Sequence, residues 1–217
     1  MCGDRSRPPP RRYKTHRKEP SPGLPRRRAR TSSTPPLYAR TAGDHAKNGQ
    51  LRHWLPVFPT RFIGRDDEIA AVQDLLRRVD VRLVTLVGPP GIGKTRLALE
   101  VAKAAAPHFT HCAAFVDLAP ISDPALVPHT IAQVLGVVDA LRRNTLKRLI
   151  EYLEEKRVLL IFDNFEHVIG AATQVAELLS ACSGVKVLAT SRVPLHLTWE
   201  REVPGFAAPG TRPHPVV

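Results

Sequence analysis

The run Gly88-Pro89-Pro90-Gly91-Ile92-Gly93-Lys94-Thr95 sets glycines, a lysine and a hydroxyl residue in the order G-x-x-x-x-G-K-[ST]. Each of these residue types answers a need of phosphate chemistry. Glycine admits backbone conformations and close approaches that a Cβ blocks, so that successive N–H groups turn inward on phosphate oxygens. A helix beginning near Lys94 adds the positive end of its dipole. Lys94 would stand as a point charge between the β and γ phosphates, and the Thr95 hydroxyl would ligate magnesium. The plainer alternative is a glycine turn between a strand and a helix. That same strand-to-helix setting is what a phosphate-binding loop requires, and it favours the phosphate reading. Arg96 follows the loop directly and is assigned with Gly88 to Thr95 to nucleotide contact.

A second constellation lies about 70 residues on. Arg157-Val-Leu-Leu-Ile-Phe-Asp163-Asn164 is an apolar strand ending in a carboxylate, the group needed to hold a magnesium shell. Taken alone, such an aspartate is more often a turn or helix cap. Asn164 stands where many hydrolytic enzymes of this kind place a glutamate, and an amide cannot take a proton. Glu166 and His167 are close enough to position water, or they form a solvated loop pair. Farther on, Thr190-Ser191-Arg192 ends another strand, at the sheet edge where ligands of open α/β folds bind. Arg192 would reach a γ-phosphate, or sit in a surface salt bridge. Lys94, Asp163 and Arg192 are thus the candidate catalytic residues, and Thr95 and Asp163 the candidate metal ligands.

The elements that must position these groups are legible in the apolar pattern. Asp66 and Asp67 open a helix with Ile69, Val72, Leu76 and Val79 on one face, its acids at the favourable end of the dipole. Strands follow at Arg82 to Val87, 113–118, Val158 to Phe162 and 185–190, with Glu202 to Phe206 as a weak edge strand. Between them, helices run from Lys94 to Ala106, from an Asp123 cap through Leu126 and Ile131 to Gly136, over Leu146 to Leu153, and over Val175 to Cys182. Continuous Val, Ile and Leu strands alternating with amphipathic helices predict an α/β fold with a mostly parallel sheet flanked by helices, three layers in all.

Charge divides the chain. Residues 1–60 hold 14 Lys and Arg against 3 Asp and Glu, with 10 of the 21 prolines, whereas residues 61–217 hold 18 against 17. The net charge of +12 is therefore a property of the front. That segment has too little periodic apolar sequence to offset chain entropy, and residues 1–55 are expected to be a disordered basic tail. Residues 56–206 are read as the folded domain, led in by an extended Leu55 to Arg61, and 207–217 as a second disordered tail. Cys2, Cys112 and Cys182 lack metal-ligand spacing and a disulfide count, which fits a reducing compartment. No apolar run suits a secretory signal or a membrane span, so a cytoplasmic location without membrane partners is expected.

Together Phe62-Ile63-Gly64-Arg65-Asp-Asp-Glu68, the phosphate loop, the Asp163 strand and Val187-Leu-Ala-Thr-Ser-Arg192 come in the order of a known family. The chain resembles the P-loop ATPase module of STAND-class proteins, the signal-transduction group that includes NB-ARC domains, and in particular that of bacterial LuxR-type and related large transcriptional regulators. The resemblance covers roughly residues 55–203. It implies that Phe62, Ile63 and Gly64 lie near adenine, that Arg65 braces the nucleotide pocket, and that Arg192 is a sensor arginine. Sequence physics alone reads Phe62 and Ile63 as a hydrophobic staple for the following helix. It also implies ATP, ADP and Mg2+ as ligands, slow hydrolysis, and sensor or effector domains or self-association as partners. The family's Gly-x-Pro helical subdomain, winged helix and repeats have no counterpart here, which reads as an N-terminal piece of a larger regulator.

Other function classes compete with this switch. A vigorous P-loop motor is disfavoured by Asn164, and a small-molecule kinase by the lack of a recognisable acceptor lid. Arg26-Arg27-Arg28 and Arg30 would let the tail hold nucleic acid through phosphates without sequence preference.

Overall fold

A computed structural model describes residues 52–60, 62–137 and 144–204. Of the expected basic tail over 1–55, residues 1–51 lie outside the described residues, as does the expected tail over 207–217. Strand β1 (Arg52–Trp54) falls within the stretch assigned to the basic tail, so ordered structure begins earlier than residue 56. Its three residues pair with the strand that carries Cys112 to Ala114, a partner 60 residues away that no local pattern announces.

The remaining elements follow in alternation. Helix α1 (Asp66–Arg77) leads to β2 (Leu83–Val87), α2 (Lys94–Ala105), β3 (Cys112–Asp117), α3 (Val127–Val134), α4 (Thr145–Leu153), β4 (Val158–Asp163), α5 (Ala172–Ala181), β5 (Val185–Ser191) and β6 (Glu200–Pro204). The sheet order is β1-β3-β4-β5-β2-β6, and every pairing is parallel.

Strand residues alternate between two cores, as a pleated sheet covered on both faces demands. Val84, Leu86, Leu159 and Ile161 pack with Val72 and Leu76 of α1 and Leu97 and Val101 of α2. Leu83, Leu160 and Phe162 face the other way, onto Ile131 of α3, Leu149 and Leu153 of α4, and Val175, Leu178 and Leu179 of α5. These side chains are essentially inaccessible to water, and each contributes about 1.5–3 kcal/mol of burial. The three-layer α/β architecture expected from the sequence is the one found.

Three local differences have physical causes. Val79 is not on the buried face of α1 but 91% exposed, because the helix stops at Arg77 and Arg78 turns extended. Asp123 caps a single 3-10 turn, Pro124–Leu126, through Ala125 N–H at 2.9 Å, which leaves Leu126 exposed before α3 begins. The last strand spans Glu200–Pro204, earlier than Glu202 to Phe206, and runs alongside β2 from Leu83↔Glu200 to Val87↔Pro204. Its Glu-Arg-Glu start suits an edge strand, where charge discourages further pairing, and hides it from a search for apolar runs.

Candidate functional site

Strand β5 lies between β2 and β4, so the loop after β2 reaches Asp163 across the end of an intervening strand. Register brings Val87 opposite Ser191, and the Gly88 N–H donates to the Ser191 carbonyl at 3.2 Å, closing the strand just where the loop departs. Chain order also breaks here, since β2 is followed in sequence by β3, three positions away in the sheet. Such a break opens a crevice at the carboxyl ends of the strands.

Gly91 and Gly93 have φ of +80° and +87°, the left-handed region that a side chain strains. A Cβ on Gly91 would meet nothing within 4 Å, so backbone conformation, not crowding, calls for glycine there. Gly93 is the N-cap of α2 and has no capping side chain, which leaves the helix's first N–H groups facing the loop. Lys94 is buried, and its ammonium donates to the carbonyls of Gly88 at 2.7 Å and Pro89 at 2.9 Å. Burial draws its pKa below the ordinary lysine value. Glu166 and Asp163 oppose that shift and Arg192 adds to it.

Asp163 is the hub of the far side. Its Oδ1 accepts from the Thr95 hydroxyl at 2.7 Å and from the Thr190 hydroxyl at 2.6 Å, and its Oδ2 from Asn164 Nδ2 at 3.3 Å. Burial pushes its carboxyl above the usual range. Hydrogen bonds from Thr190 and Thr95 hold it back, and the nearby Asp117 and Glu166 add to the rise. Thr95 and Asp163 thus bring two hard oxygen donors together beneath the loop, the donor chemistry that magnesium selects.

Asn164 has φ +60°, a left-handed conformation that turns the chain sharply off β4 into a 3-10 segment, Phe165–Ala171. Its N–H donates to Thr190 Oγ1 at 3.0 Å. Glu166, in the first turn of that segment, is drawn inward, its side chain only 13% exposed, while His167 faces solvent. Arg192 is 54% exposed, and its Nε donates to Glu166 Oε1 at 2.9 Å. In this structure the arginine is therefore in an ion pair, the alternative raised for it from sequence.

The upstream residues divide. Gly64 and Arg65 both have positive φ, at 77° and 65°, and fold Arg65 back so that a Cβ on Gly93 would stand 4.0 Å from Arg65 Nη1. Arg65 therefore lies against the phosphate loop. Phe62 is half-buried and packs on the α1/α2 core, whereas Ile63 is 88% exposed and staples nothing. Arg96 turns away from the loop. Its guanidinium stacks 4.6 Å from the Phe58 ring centroid and 5.9 Å from that of Phe62, bonds the Thr60 carbonyl and hydroxyl, and pairs with Glu100 at 3.4 Å. It ties the extended lead-in onto α2.

Two participants escaped the sequence reading. Thr190, in sequence only part of a polar strand end, bridges Asp163 to the Asn164 backbone. Asp117 stands in register with Asp163 across β3 and β4. An aspartate closing a strand is visible in sequence. Its neighbour in the sheet is not.

Residues 61–188 match the AAA ATPase domain family model. A protein named as an HTH-type transcriptional regulator in Mycobacterium tuberculosis H37Rv is 43% identical over 120 residues, 55% of this chain and 13% of that protein. Regulatory protein AfsR of Streptomyces griseus is 31% identical over 150 residues, 64% of this chain and 15% of its own length. This chain thus spans a small part of the regulators that it matches. Among solved structures, the Aeropyrum pernix ORC2 protein superposes with a TM-score of 0.50 at 20% identity, over 68% of this chain and 50% of that one. The A. pernix ORC1 protein in complex with DNA gives 0.51 at 15% identity, over 68% and 46%. At such identities the two speak for the fold alone. With its loop, its parallel sheet and residues 61–188 accounted for, the chain belongs to the AAA ATPase domain family, as a P-loop ATPase domain similar to those of transcriptional regulators.

Proposed function

We propose that the domain is a nucleotide-controlled regulatory switch that binds ATP and ADP with Mg2+ and hydrolyses ATP slowly. The observation that carries this reading is the 2.7 Å contact between Thr95 and Asp163 beneath a glycine-rich loop. Phosphates would lie on the loop N–H groups of Gly88 to Gly93, with Lys94 leaving its two carbonyls to meet them. Magnesium would be held by Thr95 and Asp163 and would neutralise charge on the phosphate oxygens. Arg65 would brace the pocket from behind Gly93, and Phe62 with Gly64 would border the base. With Asn164 directly after Asp163, the position where a proton acceptor is common holds an amide, which favours slow turnover over motor-like rates.

Titration of the full chain with Mg-ADP and Mg-ATP tests the binding, and steady-state turnover tests the switch. We expect saturable binding of both nucleotides and turnover well under about one per second. Rates far above that, abolished by Lys94→Ala, would replace the switch with a vigorous ATPase. Sensor and effector regions of a longer protein, or a second copy, are the partners such a switch would address, in the cytoplasm. Among the described residues no helix is long and apolar enough to cross a membrane.

The charge asymmetry supports a second, independent activity, in which the basic segment 1–55 holds nucleic acid through its phosphates. DNA retention in about 0.2 M salt that persists after deletion of residues 1–55 would exclude that segment as its source.

A further inference from the structure

Arg82, Lys186 and Arg157 stand at the amino ends of β2, β5 and β4, strands that are neighbours in the sheet. Parallel register sets Leu83 opposite Val187 and Lys186 opposite Leu159, and the period of two puts these cations on the face of Val84, Leu188 and Leu159, which α1 and α2 cover. All three line a cavity of 510 Å³. Its wall is apolar, made by Leu76 of α1, Ala105 of α2, Phe109 just beyond, and Val79, left exposed where α1 stops. Among the described residues no Asp or Glu lines this cavity, and none of the three cations has an ion pair. Arg82 and Lys186 donate to the carbonyls of Cys182, Val185 and Arg78, which carry no net charge. Asp80, the acid that acts on Lys186, is shared by Arg78 at 2.8 Å and Arg201 at 4.0 Å. Burial lowers the Lys186 pKa, and Arg82 and Arg157 add to the fall, the mark of like charges held close. Backbone contacts keep the cluster together. A Cβ at Gly184 would run into the Lys156 carbonyl, so glycine is what lets the turn before β5 close on the turn before β4. The Arg157 N–H donates to His111 Nδ1 at 2.9 Å and the His111 N–H to the Arg157 carbonyl at 3.2 Å, which fixes the Arg157 backbone and leaves its guanidinium unbonded among the described residues.

We propose that this cavity binds a small organic anion, an oxyanion head on an apolar body, with Arg157, Arg82 and Lys186 around the head and Leu76, Val79, Ala105 and Phe109 against the body. The volume is that of a small-molecule site. Anionic charge among the three cations replaces their mutual repulsion with charge-assisted hydrogen bonds, for which the free Arg157 fork is the ready donor. A bare inorganic anion would leave the apolar wall unfilled, and a neutral ligand would leave the repulsion in place. The site lies across the sheet from the phosphate loop and takes its ligand independently of any nucleotide there.

The test titrates the full chain with cinnamate, an aryl carboxylate, and with its neutral isostere cinnamamide, by calorimetry. Arg157→Ala and Arg157→Glu, each checked for an unchanged melting transition and circular dichroism spectrum, are titrated in parallel. Cinnamate should bind the parent with a Kd below about 1 mM, and cinnamamide at least about tenfold more weakly. Arg157→Ala should weaken cinnamate about fivefold and Arg157→Glu about 20-fold. Saturating Mg-ADP should leave the cinnamate affinity within about twofold, since the two sites lie at opposite edges of the sheet. No binding of cinnamate by the parent overturns the proposal, and so does cinnamamide binding as tightly as cinnamate. Displacement of cinnamate by Mg-ADP overturns it by placing the probe at the phosphate loop. A cinnamate affinity that neither Arg157 substitution moves overturns it as well.

Discussion

The two edges of the sheet both gather cations, yet they use them differently. At the carboxyl edge Lys94 and Arg192 sit on groups from which a phosphate would compete them away: two loop carbonyls and the Glu166 carboxylate. At the amino edge a cavity of 510 Å³ is lined by Arg77, Arg82, Phe109, Arg157, Gly184 and Lys186 among others. There Arg82 closes the end of α5, donating to the Cys182 carbonyl and, at 2.9 and 3.1 Å, to that of Val185. Burial lowers the pKa of Arg82 and, at the same edge, of Lys186. This cavity lies at one edge and the proposed phosphate site at the other, since a phosphate site is made of backbone N–H groups and left-handed glycines rather than of a deep hollow.

From this division, substitutions at the carboxyl edge should cost ligand affinity with little stability, and those of bonded groups at the amino edge the reverse. The largest effect is expected from Lys94→Ala, which should weaken Mg-ADP binding by about 100-fold in calorimetry, roughly 2.7 kcal/mol, with a small change in melting temperature. A loss of stability as large as the loss of binding would erase the contrast. Arg82→Ala should destabilise by about 2 kcal/mol in urea unfolding, because it strips a donor from the Cys182 carbonyl that ends α5 and from the Val185 carbonyl that opens β5, and should leave ADP affinity unchanged.

Asp163→Asn sharpens the comparison at intermediate size. The folded carboxyl titrates above its unfolded value, so the stability it contributes is fully present below the unfolded pKa and is lost as pH rises through the folded pKa. In chelator at pH 7 the amide should therefore raise the melting temperature by roughly 2–4 °C, about 1 kcal/mol, and that advantage should shrink on acidification. Adding Mg-ADP should reverse the order, because only the parent retains the carboxylate for the metal. Least affected should be Arg77→Ala, which removes an exposed bridge to Asp74 at 2.9 Å. Less than about 0.5 kcal/mol is expected by urea unfolding.

The loop, Asp163 and the apolar strands were legible because each is a local signal: glycine spacing, a strand's terminal carboxylate, or a run of Val, Ile and Leu. Other features were not local. β1 is polar and three residues long, β6 opens with charge, and both join the sheet only through partners far away in sequence. Adjacency in sequence groups Arg96 with the loop, yet helical rotation aims it at Phe58, Phe62 and Thr60.

Sequence by itself determined the kind of chemistry this chain can hold. Residue type and short-range spacing set the glycine conformations, the hydroxyl and carboxylate donors, and the alternation of strand and helix. Only the tertiary structure decided which groups meet. Insertion of β5 between β2 and β4 brings Thr190 onto Asp163, parallel register sets Asp117 beside it, and the positive φ of Asn164 turns Glu166 toward Arg192. These contacts join residues 26 to 46 positions apart or depend on a single backbone torsion, and neither kind of information is carried by local propensity.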